Sequence, residues 1–229
     1  RMETRLTINY TCVMFFATEP IMVENDAALQ ELCSHLSTQS HIAVDLEGDS
    51  LHHFKERLCL MQVSDSKQDY IVDLVKITDL VPMIAILESP DILKVMHGAD
   101  YDVVSLKRDY NCQIQALFDT AIAAQFLDYE KFGLAHLIER HFGLVLEKKY
   151  QKHDWSKRPL YQEHIDYARS DTHFLLSLQE LLQRQLTARG FLDAAFEESK
   201  YLTTREWNGR AYDDLDFLRV KKAHQLSEV

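Results

Sequence analysis

The feature that most constrains this chain is a carboxylate set among apolar residues. In residues 165–176, IDYARSDTHFLL, Asp171 falls on a stripe of Leu160, Tyr167, Phe174, Leu175, Leu178, Leu181 and Leu182 at helical spacing. That stripe is the face a helix turns toward a core. Tyr167 stands four residues before Asp171, so a phenol and a carboxylate project one turn apart on the same side. A lone buried carboxylate is costly unless it is paired or protonated, so positive charge has to be brought close to it.

The chain has 229 residues, 46% of them hydrophobic, enough for one full core and a small appendage. Its four cysteines, Cys12, Cys33, Cys59 and Cys112, are scattered without a CxxC pair, which fits reduced thiols rather than disulfides or zinc. No apolar run reaches the length of a membrane span, and the stretch 12–17 is too short for a signal peptide and is followed by acidic residues. No membrane association is expected. A formal charge of −11 repels polyanions, so a nucleic-acid partner needs a local basic patch or bound cations.

Along the chain, Asn25 and Asp26 can cap a helix through Leu29, Leu32, Cys33 and Leu36. Short apolar strands follow at 41–47, 58–64 and 69–74, separated by turn-forming residues, an order that suggests a meander. Then come a helix over 79–87, a strand at 92–96, a helix over 100–110 and a strand at 115–118. Helices at 119–127 and 134–142, a long one after Pro159 and another after Gly190 complete an α/β chain. The expected organisation is an N-terminal extension (1–20), a main domain (21–190) and a C-terminal helical extension or linker (191–229).

Within HIAVDLEG, period two places Asp45 and Glu47 on one face at a strand end, and Ile42, Val44 and Leu46 on the other. Two like charges so close repel unless a cation lies between them; read alone, the pair fits a solvated strand end equally well. Asp100 and Asp102 open the next helix, where acidic groups favour the dipole. Periodicity leaves both at the margin of the apolar stripe and does not choose between them. In EKKYQKHDWSKRPL, basic residues alternate with Tyr150 and Trp155, a mixture suited to a flexible single strand and equally to a solvated loop over a packed indole.

Taken in order, VDLEGDS, LCLMQVS, HGADYDVVSLKRDY, LFDT, DWSKRPL and YARSDTHFLL resemble the tyrosine subclass of the DEDD 3'→5' exonucleases, closest to ribonuclease D and its eukaryotic exosome-associated relatives. The resemblance runs from about Ile21 to Leu186. It implies a ribonuclease H-like α/β fold with a central mixed β-sheet flanked by helices. It assigns Asp45, Glu47, Asp102 and Asp171 as metal-binding carboxylates, choosing Asp102 over Asp100, and Tyr167 as the phenol that positions water. The histidine subclass would need His where Asp166 stands.

What the resemblance implies is a metal-dependent 3'→5' exoribonuclease acting on single-stranded RNA 3' ends in tRNA or stable-RNA processing or turnover. Two divalent cations, Mg²⁺ or Mn²⁺, would activate water and stabilise the leaving 3' oxygen, releasing nucleoside 5'-monophosphates. Leu51, His97, Trp155, Lys157 and Arg158 are the substrate-binding candidates. Each has a structural alternative: Leu51 as a turn hydrophobe, His97 as a hydrogen-bonded core histidine, Trp155 as packing beneath its loop. The rival functions are a 3'→5' exodeoxyribonuclease of DNA repair and a catalytically silent nucleic-acid-binding scaffold. The expected location is cytoplasmic, with a nuclear homologue as the alternative. The last segment, FLRVKKAHQLSEV, resembles the lead into an HRDC-type helical domain.

Overall fold

A computed structural model describes residues 18–207. Nearly all of the expected N-terminal extension and the 217–229 segment that resembles an HRDC lead lie outside the described residues.

Among the described residues, six strands form one mixed sheet: β1 (Ile21–Val23), β2 (His41–Gly48), β3 (Leu58–Ser64), β4 (Asp69–Val72), β5 (Leu93–Met96) and β6 (Leu117–Asp119), in the order β1-β4-β3-β2-β5-β6. β2, β3 and β4 are the expected antiparallel meander, while β5 and β6 add in parallel beyond β2 and β1 adds in parallel beyond β4. β1 was not expected; three residues carry too little periodicity to read as a strand.

Eight helices cover the sheet among the described residues: α1 (Asp26–Leu36), α2 (Val81–Leu87), α3 (Asp100–Tyr110), α4 (Thr120–Phe126), α5 (Leu134–Phe142), α6 (Gln162–His173), α7 (Leu175–Arg189) and α8 (Leu192–Leu202). The capping chemistry is local. The Asn25 side chain accepts from the Ala28 N–H at 3.0 Å, and Asp119 caps α4 by accepting from Ala121 and Ile122. The helix expected after Pro159 is two helices: Phe174 ends α6 and begins α7.

Alternation in β2 divides the core. Ile42, Val44 and Leu46 pack with α1, α2 and α3, whereas Ala43 on the opposite face packs with residues of α4, α5 and α7. A third cluster joins Cys59 and Leu60 of β3 and Ile71 of β4 to Ala168 of α6, Tyr150 and Trp155. Burying a side chain such as Leu60 or Ile71 contributes about 1.5–3 kcal/mol, and Ala168 is the buried α6 residue of that cluster. Cys33, Cys59 and Cys112 are free and buried. Among the described residues, no helix is long and apolar enough to cross a membrane.

Candidate active site

The site grows from the end of β2. Asp45 and Glu47 share the face that α6 covers, and the register shifts between Glu47 and Gly48, bending the strand where the carboxylates project. A Cβ at Gly48 would come within 3.2 Å of the Arg57 carbonyl oxygen, so the smallest residue fits that close passage of two chain segments. From α6, Asp171 reaches the same place: Asp45, Glu47 and Asp171 each offer an oxygen, all within 4.8 Å of one another.

From α3, Asp102 turns inward and is 7% exposed, while Asp100, two residues earlier, is exposed and paired with Arg205. The Asp102 carboxylate lies outside the tight trio, yet Asp45 raises its proton affinity, and it in turn raises that of Glu47.

These four carboxyl groups share one condition. Burial, and for all but Asp45 repulsion from the neighbouring carboxylates, pushes them up: Asp45 to about 7 through burial, Glu47 to about 10 through burial and then Asp45, Asp171 and Asp102. Asp102 and Asp171 are raised well above the ordinary range for the same reasons. Among the described residues, no cationic side chain relieves them. An all-oxygen donor set with this much uncompensated charge fits hard divalent cations rather than zinc or a soft metal.

Tyr167 stands one turn before Asp171. Burial, then Asp171, Glu47 and Asp45, raise its phenol above its ordinary value, so it keeps its proton. Its ring lies nearly parallel to Trp155, centroids 6.0 Å apart, and meets Tyr150 edge-on at 5.8 Å. Trp155 is 1% exposed and packs behind Tyr167, the second of the two roles the sequence left open for it.

The rotation of α6 is fixed by a second group of buried side chains. Asp69 of β4 accepts from Arg169 Nε at 3.1 Å and Nη2 at 2.6 Å, from His173 Nδ1 at 2.8 Å, and from Ser64 Oγ at 2.7 Å. Ser64 Oγ also lies 2.7 Å from Thr172 Oγ1. Residues 169, 172 and 173 thus clamp the turn that carries Asp171.

Asp45, Glu47 and Asp171 open into a cleft of about 350 Å³ whose other walls include His97, Gly133, Leu134, Lys148, Gln151 and Tyr167. His97 lines the cleft, and its Nδ1 is 2.9 Å from Thr120 Oγ1. The Thr120 hydroxyl donates to the Met96 carbonyl, so it accepts from His97 Nδ1–H and leaves Nε2 as an acceptor. Burial, against the pull of Asp119, lowers this imidazole and favours the neutral form.

Leu51 is 68% exposed at the end of the turn after β2, open to a ligand. Lys157 is exposed, 3.6 Å from Asp154. Arg158 is placed otherwise than expected: its Nε donates to Asp73 at 2.7 Å, Nη1 to the Trp155 carbonyl at 2.8 Å and Nη2 to the Cys59 carbonyl at 3.2 Å. Those bonds spend its donors on holding the 147–158 loop to the sheet. His52 and His53 tie the same loop to the turn after β2, through the Lys152 carbonyl at 3.0 Å and Ser156 Oγ at 2.9 Å.

The candidate list from sequence lacked Gln151, Gly133 and Leu134, none of which carries a motif of its own. The 147–158 loop pointed the right way as a segment, but its cleft-lining members are Glu147, Lys148 and Gln151 rather than Trp155 or Arg158.

Residues 20–187 match the family model described as a 3'-5' exonuclease. Among curated relatives, the Exosome complex component 10 homolog of Caenorhabditis elegans is 37% identical over 213 residues, covering 90% of this chain and 24% of that protein. The Exosome complex exonuclease RRP6 of Saccharomyces cerevisiae is 34% identical over 197 residues, covering 86% and 27%. The chain therefore spans about a quarter of the length of these relatives. Of solved structures, the catalytic core of RRP6 from Trypanosoma brucei superposes with a TM-score of 0.81 at 36% identity, over 88% of this chain and 57% of that one. Escherichia coli RNase D, described as an exoribonuclease involved in structured RNA processing, superposes with a TM-score of 0.78 at 30% identity, over 92% and 60%. With its mixed six-stranded sheet of the ribonuclease H-like type and helices on both faces, the chain belongs to the 3'-5' exonuclease family.

Proposed function

We propose that this protein is a 3'→5' exoribonuclease that shortens single-stranded RNA from its 3' end, one nucleoside 5'-monophosphate at a time, in RNA maturation or turnover. The observation that carries the proposal is the convergence of Asp45, Glu47 and Asp171, with Tyr167, in the wall of one cleft, where Asp102 acts electrostatically on Glu47. The names of the yeast relative, an exosome exonuclease, and of RNase D, an exoribonuclease, favour RNA as the substrate. Two relatives are named as exosome components or enzymes, which lends no support to the expected cytoplasmic location.

Asp45, Glu47, Asp102 and Asp171 would hold two divalent cations, Mg²⁺ or Mn²⁺, which supply water activation and stabilisation of the departing 3' oxygen. Tyr167, kept protonated, orients the attacking water by a hydrogen bond toward the terminal phosphodiester and does not act as the base at neutral pH. Trp155 backs that ring and limits its tilt. Leu51 supplies an apolar contact for the terminal base, neutral His97 an acceptor in the cleft wall, and Lys148 and Lys157 positive charge along the strand's path. The proposed catalytic unit is residues 21–190, followed by an extension from residue 191 onward, of which α8 is the described helix.

The test is a time course on 5'-labelled single-stranded RNA and matching DNA with Mn²⁺, Mg²⁺ or EDTA, beside Asp45→Asn and Tyr167→Phe. A one-nucleotide ladder on RNA that needs metal and disappears in Asp45→Asn is expected. Intact substrate under every metal condition would remove the catalytic reading and leave a binding role.

A further inference from the structure

The middle of β3 carries a polar group for which neither packing nor the carboxylate centre, as described above, has a use. Gln62 is 0% exposed, and among the described residues neither its Nε2 nor its Oε1 has a hydrogen-bond partner. A buried carboxamide with neither end bonded is rare in native proteins, because its desolvation is not repaid; such a group points to an absent water or ion or to a role in chemistry.

Its position answers where the amide points. Gln62 is the cross-strand partner of Asp45, so the two side chains leave the same face of the sheet as neighbours. Along β3 on that face, Leu60 precedes it and Ser64 follows it. Leu60 packs in the cluster of Ala168, and Ser64 bonds Thr172. Gln62 therefore lies beneath the turn of α6 between Ala168 and Thr172, the turn from which Asp171 reaches the centre. Arg169 on that turn is committed to Asp69 and offers this spot no charge.

We infer that Gln62 is a positioning residue of the carboxylate centre: its amide N–H groups hold the outer oxygens of Asp45 and Asp171 when cations occupy the inner ones. The donor count fits. Ionised carboxylates only accept, whereas a carboxamide nitrogen brings two donors, one for each neighbour. Donation to one oxygen of a ligating carboxylate fixes which oxygen faces the metal, the usual work of a group behind the ligands. Uncharged, Gln62 does this without competing with the cations, which a lysine at the same place would do. The inference rests on the metal-dependent reading of the centre.

The experiment is calorimetric titration of Mn²⁺ into metal-free wild type, Gln62→Met, Gln62→Leu and Asp45→Asn, paired with kcat and KM on a 5'-labelled RNA oligomer. Gln62→Met keeps the volume and removes the unbonded amide, so it should fold with a Tm at or above wild type. Its Mn²⁺ affinity should fall about 10-fold or more, and kcat should fall while KM for RNA holds. Gln62→Leu should repeat the result. Wild-type Mn²⁺ affinity and kcat in a folded apolar variant would overturn the inference while leaving the centre intact. Failure of both apolar variants to fold would assign Gln62 to the fold and overturn it as well. If wild type takes up no Mn²⁺, the metal-dependent reading itself falls and carries this inference with it; binding by wild type that is lost in Asp45→Asn keeps the two failures apart.

Discussion

Asp69 meets α6 from β4, and Asp171 rises from α6 itself; both are carboxyl groups pressed into the same helix-sheet contact. Burial raises Asp69, but bonds from His173, Arg169 and Ser64 outweigh it and leave the group below its ordinary value. Asp171 meets Asp45 instead of a cation, and both effects drive it up. The fold thus neutralises one buried acid with its own cations and leaves the other, with its three companions, waiting for charge from outside. A buried carboxylate is a structural element in the first setting and a ligand in the second, and the residue type alone does not say which.

The comparison breaks first at the centre. Asp45→Asn should lower the rate of nucleotide release by more than about 10³-fold, because the displacement depends on the cations it helps hold. Its metal-free Tm should be equal to or above wild type, since a repelling charge is removed; a clear loss of metal-free stability would show that Asp45 is structural. At the other acid the signs exchange. Asp69→Ala removes the carboxylate that meets His173 and the buried Arg169, and should cost about 3–5 kcal/mol in urea denaturation. An Asp69→Ala protein as stable as wild type would contradict the clamp.

Tyr167→Phe sharpens the division within the centre. It should lower kcat about 10²-fold with Mn²⁺ affinity unchanged, as expected for a group that orients water and holds no metal.

A pH series sharpens it further. In metal-free protein, Asp45 at about 7 and Glu47 at about 10 hold protons that the unfolded chain, with ordinary values of 3.8 and 4.5, has already released. Their contribution to stability is full below those ordinary values and is lost as pH rises through the folded ones. Asp69 has the opposite sign: its contribution is present above its ordinary value and is lost as pH falls below it. Between about pH 5 and 8 metal-free stability should therefore decline as pH rises, and Mn²⁺ at 100 times its Kd should restore about 2.7 kcal/mol. Stability that rises across this interval without metal would count against the unpaired centre. The smallest effect is expected at Lys157→Ala: a few-fold weaker RNA binding, most visible at low salt, as suits an exposed phosphate contact.

What could be read from sequence follows the range of the interactions. β2 was legible because its two faces meet different helical layers, so alternation had to be strict. α1 was legible because Asn25 caps it within three residues. The choice of Asp102 over Asp100 came from the family resemblance and not from periodicity, since both suit a helix start and only the packing of α3 on the sheet separates them. Residues answered from far along the chain were the least legible: Arg158 meets Asp73, 85 positions away, and Trp155 is covered by strands and by Tyr167. The break at Phe174 has no glycine or proline to announce it, and the residue keeps right-handed helical torsions, so the apolar stripe runs on unbroken.

α6 carries Tyr167, Arg169, Asp171, Thr172 and His173 on just under two turns, with duties alternating between chemistry and anchorage. Descendants of such a protein that abandoned nucleolysis would be released from selection at Tyr167 and Asp171 while Arg169 and Thr172 stayed indispensable to folding. Loss of activity would then be written in this helix as a comb, with every second tooth missing, and an inactive relative could be told from a damaged one by which teeth remain.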